Sequence, residues 1–309
     1  MHKPGELYSK HNLCRFAVAA FKNYAFKEGW QSWTRLDDGP LKQAKMGKGY
    51  IGFCADPFLF RYKGENWLLY ETVTKAYKGV LGCFKEVDGE WQQQGVVLEE
   101  TFHLSYPQVF EEDGHVYMIP ESGDQGKGCI ALYEATDFPR GWVKRQVLIE
   151  KPYADSTLLR KDGHYYLACY TNELGSAELW HADKLTGPWM LHPQSGNMNQ
   201  SRRLRRCGGS WLMEDGRLYR IVQDCNGGYG KRVFKVPVVA ITPNEYKEGD
   251  AMLMLDTNQH PQGRKHTYNE IRFDGHKLSV FDVRADYLGN LLCVVKDLIR
   301  ATVKIVIRK

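Results

Sequence analysis

ADPFLFRYKGENWLLYE (55–71) joins two apolar runs across Lys63-Gly64 and sets an ionisable Asp56 before a proline, at the head of what reads as a buried strand. An Asp-Pro pair alone is a common turn or strand entry. The rest of the chain repeats the pattern. SYPQVFEEDGHVYMIPE (105–121), ADSTLLRKDGHYYLACY (154–170), GGSWLMEDGRLYRIVQD (208–224) and HTYNEIRFDGHKLSVFD (266–282) each carry a turn glycine near the middle. Counting back eight residues from Gly64, Gly114, Gly163, Gly216 and Gly275 gives Asp56, Tyr106, Asp155, Gly208 and Thr267, spaced 50, 49, 53 and 59 residues apart. Asp113, Asp162, Asp215 and Asp274 precede the glycine in four of the five units, which is the signal of a tight β-hairpin.

Segments such as GVLGCFKEVDGEWQQQG (79–95) and GCIALYEATDFPRGWVKRQVL (128–148) supply one or two further strands per unit. Four strands at a period of about 50 residues is a propeller pattern. A blade cannot bury both faces alone, so blades must stack around an axis. The reading is an all-β, five-bladed β-propeller, one domain over 1–309, with blades beginning near 56, 106, 155, 208 and 267. A β-sandwich of similar strand count would not require so regular a hairpin repeat. Residues 1–45 and 286–309 are closing or peripheral segments. RFAVAAFK (15–22) suits either a strand that helps close the ring or the start of an amphipathic helix through Tyr24 and Phe26. The end of the chain is open in the same way, although its β-branched TVKIVI (302–307) favours a strand.

Composition limits the function. With 43% hydrophobic and 13% aromatic residues the chain can bury a substantial core. A formal charge of +5 tolerates an anionic ligand but lacks the dense Lys/Arg patterning of a dedicated nucleic-acid binder. No signal-peptide pattern and no long apolar span are visible, so the expectation is a cytoplasmic protein without a transmembrane segment. The eight cysteines are scattered, with no CxxC and no zinc spacing, which reads as reduced thiols and no metal site or cofactor.

In a propeller the first strand of each blade lines the axis, so the repeat gathers Asp56, Tyr106, Asp155 and Gly208 around one funnel. A second equivalent position, fifteen residues later, holds Glu71, Glu121, Tyr170, Gln223 and Asp282, with Asp224 immediately after Gln223. Converging carboxylates suit glycosyl chemistry, one as base or nucleophile and another kept protonated as acid. Acidic side chains at such turns also cap strands and pair with arginine, the preferred reading for Glu71 and Asp282. NQSRRLRRCGGSW (199–211) adds an arginine cluster before the fourth unit; Arg205 and Arg206 are read as holding an anionic part of the ligand. His266 begins the fifth unit and is placed in the funnel as a substrate-binding residue, as are Tyr106 and Asp224.

ADPFLF with LLYET, FHLSYPQVFEEDGHVYMIPES, LYEATDFP, ADSTLLRKDGHYYL, GPWMLHP and GRLYRIVQDCNGGYGKRV resemble the domain at the N-terminus of plant glucosamine inositolphosphorylceramide transferases, from about Gly52 to about Asp282. The resemblance implies a five-bladed propeller like those of the arabinanase, xylosidase and family 43 glycosidases, in which an early Asp in a DP context is base or nucleophile. Asp56-Pro57 fits that role. Tyr106 departs from the pattern, standing where many such glycosidases have Asp, so the full triad does not carry over. Glu121 and Asp155 are catalytic candidates by their place in the repeat. The expected function is action on a glycosidic bond, by hydrolysis or transfer, in surface-polysaccharide or glycolipid metabolism, on a sugar, nucleotide-sugar or lipid-linked sugar. The alternative is a non-catalytic sugar-binding or scaffold propeller serving a separate glycosyltransferase.

Overall fold

All five hairpins take the tight form that their sequences call for. Lys63-Gly64, Asp113-Gly114, Asp162-Gly163, Asp215-Gly216 and Asp274-Gly275 have positive φ at both positions, 50° to 51° at the first residue and above 70° at the glycine. These two-residue turns match the twist of the strands that they join. The computed structural model describes residues 55–74, 78–122, 128–226, 230–258 and 264–284, with the strands at 21–27 and 34–35.

The chain begins with β1 (Phe21–Lys27) and β2 (Thr34–Arg35). A first sheet follows from β3 (Ala55–Tyr62), β4 (Glu65–Val73), β5 (Gly79–Val87) and β6 (Glu90–Leu98). The second uses β7 (Ser105–Glu112), β8 (His115–Glu121), β9 (Ile130–Asp137) and β10 (Arg140–Ile149). The third uses β11 (Tyr153–Lys161), β12 (His164–Thr171), β13 (Ser176–Ala182) and β14 (Met190–Leu191). The fourth has β15 (Leu212–Glu214), β16 (Arg217–Asp224), β17 (Arg232–Ile241) and β18 (Tyr246–Glu248), with β19 (Met252–Leu255) also paired to β17. Finally β20 (Tyr268–Phe273) and β21 (His276–Arg284) form a sheet with β1 and β2, in the order β2-β1-β21-β20.

The fold is an all-β propeller. Among the described residues, four sheets are blades drawn from consecutive strands, where sequence analysis counts five such units. The remaining sheet is composite, because β1 from the start of the chain pairs with β21 along its length, Phe21 opposite Arg284 and Lys27 opposite Leu278. Tyr24 and Phe26 therefore lie in a strand rather than a helix, whereas residues 15–20 and TVKIVI lie outside the described residues.

Apolar side chains are buried between neighbouring sheets. Trp67, Leu69 and Cys83 meet Val109, Met118 and Tyr133 between the first and second sheets. Ile119 and Leu132 meet Leu158 and Leu167 between the second and third. Tyr166 and Leu179 meet Leu218 and Tyr246 between the third and fourth. Ile221 and Val233 meet Tyr268 and Phe281, and Leu278 and Val280 meet Leu59 and Leu68, which closes the circle. Each fully buried large apolar side chain adds about 1.5–3 kcal/mol. Ring closure thus rests on core packing, and the inner strand ends are left free to present polar groups.

Candidate functional site

The first strands of three sheets open in the same way. Asp56, Tyr106 and Asp155 have φ of 50°, 48° and 48°, a region unfavourable by about 1–2 kcal/mol for a residue with a Cβ. Each sits in a bulge. Ala55 faces Glu71 while Phe58 faces Leu69, Ser105 faces Glu121 while Gln108 faces Ile119, and Ala154 faces Tyr170 while Thr157 faces Ala168. One extra residue in each first strand turns the head residue out of the ladder. The neighbouring sheet then holds it. Asp56 N donates to Asp282 Oδ2 at 3.1 Å and Asp155 N donates to Glu121 Oε2 at 2.9 Å. The two acceptors belong to the second equivalent position of the sequence repeat, so carboxylates there anchor the strand head next door.

Two polar clusters result. In the first, His266 lies between two carboxylates, with Nε2 3.0 Å from Asp56 Oδ1 and Nδ1 2.7 Å from Asp282 Oδ2. Thr267 Oγ1 donates to Asp56 Oδ1 at 2.8 Å, and the backbone N–H groups of His266 and Thr267 donate to Asp282 Oδ1 at 3.2 and 3.1 Å. Burial opposes charge on His266, but Asp282 and then Asp56 outweigh it and hold the imidazole pKa well above its usual 6.5. An imidazolium therefore joins the two acids. Asp56, His266 and Asp282 also offer ligand atoms within 4.8 Å of one another, a spacing that suits a cation, and here the imidazolium supplies the positive charge.

In the second cluster Arg206 grips Asp155 with Nε on Oδ2 and Nη2 on Oδ1, and Gln223 Nε2 donates to Asp155 Oδ2 at 2.7 Å. Burial and the Asp155 charge raise the Glu121 carboxyl well above its usual range, against the pull of Arg206. Glu121 thus lies next to an Asp155 that Arg206 and Gln223 hold on both oxygens. The clusters are electrostatically linked: burial pushes the Cys225 thiol up, while the charges of Arg206, Asp155 and His266 all reach it. Glu71, raised mainly by burial and steadied by His103, in turn feels Asp56 and His266.

The structure thus brings together Asp56, Glu121, Asp155, Arg206 and His266 from the residues expected from sequence. The others stand apart from a ligand role. Tyr106 is fully buried, its hydroxyl 2.9 Å from Thr157 Oγ1 and accepting the Gly209 N–H at 2.7 Å, and its ring meets Phe58 edge-on. Arg205 donates to the carbonyls of Gly175 at 2.8 Å and Asn199 at 3.3 Å. Its expected anion contact is replaced by tethering of the loop. Asp224 is buried beneath Arg203 and Arg232; burial raises its pKa, but hydrogen bonds from Arg203, the Asn226 N–H and Arg232 prevail and lower it. His103 was not foreseen: its Nδ1 accepts the Gly79 N–H at 2.9 Å, which leaves Nε2 as the donor 3.1 Å from Glu71 Oε1. The signal in sequence is only a histidine three residues before a strand head.

Bulged strand heads in a closed ring of sheets define a β-propeller, a fold that solved glycosidases share. A β-xylosidase designated RS223 superposes with a TM-score of 0.55 over 76% of this chain and 92% of its own, at 12% identity. A β-xylosidase/α-arabinofuranosidase from a compost microbial metagenome, solved with xylotriose, gives 0.54 over 77% and 88%, also at 12% identity. At such identities the likeness is one of fold. The chain belongs to the family described as glucosamine inositolphosphorylceramide transferase 1, N-terminal, whose model matches residues 43–294. Glucosamine inositolphosphorylceramide transferase 1 of Arabidopsis thaliana is 32% identical over 237 residues, covering 74% of this chain and 31% of the plant protein. The protein of that name from Oryza sativa subsp. japonica is 36% identical over 206 residues, 63% of this chain and 27% of its own. The chain thus corresponds to under a third of the length of these plant relatives.

Proposed function

We propose that this is a five-bladed carbohydrate-active propeller, the composite sheet counting as the fifth blade, which takes a glycosyl group at the mouth formed by the heads of β3, β7 and β11 and acts on its glycosidic bond. The reading places it in glycolipid or surface-polysaccharide metabolism. The observation that carries it is the setting of Asp56. A bulge and a positive φ aim this residue out of the ladder, and Oδ1 is anchored by His266 and Thr267 while Oδ2 accepts neither bond. A carboxylate held by one oxygen is oriented to use the other as base or nucleophile. Glu121, whose carboxyl pKa burial and the Asp155 charge raise well above its usual range, serves as acid, and Asp155 positions it; a carboxyl raised in this way is suited to donate a proton.

One observation favours a second reading, a sugar-binding module that presents substrate to a separate transferase. Asp155 is paired with Arg206 and accepts a hydrogen bond from Gln223, and Tyr106 supplies no carboxylate at the second strand head. The test is incubation of wild type, Asp56→Asn and Glu121→Gln with a panel of oligosaccharides and glycosyl donors, reading release or transfer of sugar and, separately, binding by calorimetry. Turnover in wild type that both variants lose while still binding supports the enzyme. Binding without turnover in all three proteins supports the module, and binding of no sugar by any of them rejects both readings.

A further inference from the structure

Tyr170 breaks the pattern of the second equivalent position. The other units hold Glu71, Glu121, Gln223 and Asp282 there, polar groups that are all buried; the third unit holds an aromatic ring that is only half-buried. Tyr166, Ala168 and Tyr170 share one face of β12, since alternate residues of a strand point the same way. Tyr166 and Ala168 lie in the core between the third and fourth sheets. Tyr170, one residue from the end of β12, joins none of the apolar cores among the described residues. Its partners on the neighbouring strands are both alanines, Ala154 on β11 and Ala177 on β13, so no bulky side chain flanks the ring along the sheet.

Arg206 ties this ring to the site. The guanidinium that grips Asp155 lies 5.7 Å from the Tyr170 ring centroid, and Ala154, opposite Tyr170 in register, immediately precedes Asp155. Paired strands are about 4.8 Å apart, so the ring stands one strand outward from the third strand head. Its hydroxyl makes no hydrogen bond among the described residues. A Cβ on Gly175 would come within 3.8 Å of that hydroxyl, an approach that glycine leaves unfilled. The loop carrying Gly175 is fixed by its own N–H, which donates to the Thr171 carbonyl at 2.9 Å, and by Arg205, which donates to the Gly175 carbonyl at 2.8 Å. Burial raises the phenol pKa above its usual 10 against the pull of Arg206, so the hydroxyl keeps its proton and can donate it. This place therefore offers a ligand an apolar face and one hydrogen bond, which fits the C–H face and a hydroxyl of a sugar ring. Asp56 is in the first sheet and Tyr170 in the third, with the second between them. A ring lying on Tyr170 is thus beside the one at Asp56 and not the same one.

We propose that Tyr170 is the platform of a second sugar subsite, on which a ring flanking the one at Asp56 stacks and accepts a hydrogen bond from the hydroxyl, so that the ligand is an oligosaccharide of two or more rings and not a single glycosyl unit. The inference rests on the sugar site of the proposed function.

The experiment is calorimetry on the full chain with gluco-, galacto-, manno- and xylo-oligosaccharides of one to four rings, for wild type, Tyr170→Ala and Tyr170→Phe, with melting temperature as the check on folding. For the series that binds, wild-type affinity should rise about tenfold or more from one ring to two. Tyr170→Ala should lose that step while holding the single ring as wild type does. Tyr170→Phe keeps the stack and gives up the hydrogen bond, and should lose about three- to tenfold on the longer ligands. Equal wild-type affinity for all lengths, or a step retained in Tyr170→Ala, overturns the subsite and leaves the single-ring site of the proposed function standing. Equal weakening at every length, with a lowered melting temperature, makes Tyr170 a structural residue and likewise overturns it. The step without turnover leaves the subsite standing on the sugar-binding module, and no binding of any saccharide by wild type overturns both the subsite and the proposed function.

Discussion

Replacing Asp282 by Asn should unlock the mouth. The Asp282 carboxylate is completely buried, lies 2.7 Å from His266 Nδ1, and accepts three backbone N–H groups, from Asp56, His266 and Thr267. An amide of the same size keeps one acceptor oxygen and turns an NH₂ toward these donors. It also leaves the imidazolium with Asp56 as its nearest counter-charge. Removing one partner of a buried ion pair costs about 3–5 kcal/mol, so the variant should lose stability in that range at pH 6. The pH dependence follows from the direction of the His266 shift. Its folded pKa lies well above 6.5 because Asp282 and Asp56 overcome burial, so its stabilising effect is complete below the unfolded pKa of about 6.5 and is lost as pH rises through the folded value. Urea unfolding followed by circular dichroism from pH 6 to 10 should show that loss in wild type and its absence in His266→Gln. In Asp282→Asn the loss should begin at lower pH. A penalty below about 1 kcal/mol, or a wild-type profile parallel to that of His266→Gln, would refute the imidazolium assignment.

Three further substitutions test neighbouring parts of the argument. Tyr106→Phe removes the acceptor of the buried Gly209 N–H and the partner of Thr157; a loss of about 1–3 kcal/mol in denaturant unfolding is expected, with sugar affinity unchanged. Gly79→Ala would put a Cβ 2.4 Å from the Leu104 carbonyl and 2.6 Å from the His103 ring; it should cost about 1–3 kcal/mol and release His103 from Glu71, visible as moved His103 ring resonances by NMR. Glu121→Gln copies the protonated acid. Because burial and Asp155 raise the Glu121 pKa above 4.5, wild type loses stability as pH rises from that value toward the folded pKa, and the amide does not. The variant should therefore match or exceed wild type in melting temperature at pH 7, with the difference shrinking on acidification.

The hairpin repeat was legible because a two-residue turn with positive φ at both positions restricts its residues, and Asp-Gly or Lys-Gly recurs at each of the five places. That periodicity also located the heads of β3, β7, β11 and β20 to within two residues. The fourth unit blurs: Gly208 and Gly209 precede a β15 of only three residues, while Cys207 forms an isolated bridge with Val222. A Cβ on Gly209 would lie 1.8 Å from the Tyr268 carbonyl, so close approach to the composite sheet, rather than strand pairing, sets that segment. The composite sheet was less legible, since β1 pairs with a strand some 250 residues away and period cannot reveal such a partner. For the site, the fifteen-residue offset gathered Glu121, Gln223 and Asp282, but their roles depended on which neighbour they meet. Glu121 and Asp282 accept N–H groups from the next sheet. Arg206 was read as a ligand contact because a sequence shows a free cation and not the buried carboxylate waiting for it.

The division of the arginines bears on why the mouth is built as it is. At a strand head, outside any hairpin turn, a positive-φ aspartate needs surroundings that compensate it, and the two such residues, Asp56 and Asp155, are compensated differently. Asp155 is closed on both oxygens by Arg206, Gln223 adding a further bond, which fixes the charge that, with burial, raises the Glu121 pKa. Asp56 is anchored through one oxygen by an imidazolium and a hydroxyl, which leaves Oδ2 as a directional acceptor outside both bonds. Exchanging these environments would not conserve function even with every carboxylate retained: with Arg206 on Asp56 the directional acceptor is lost, and without Arg206 on Asp155 an uncompensated charge faces Glu121. The two strand heads thus differ through the asymmetry between sheets whose backbones repeat.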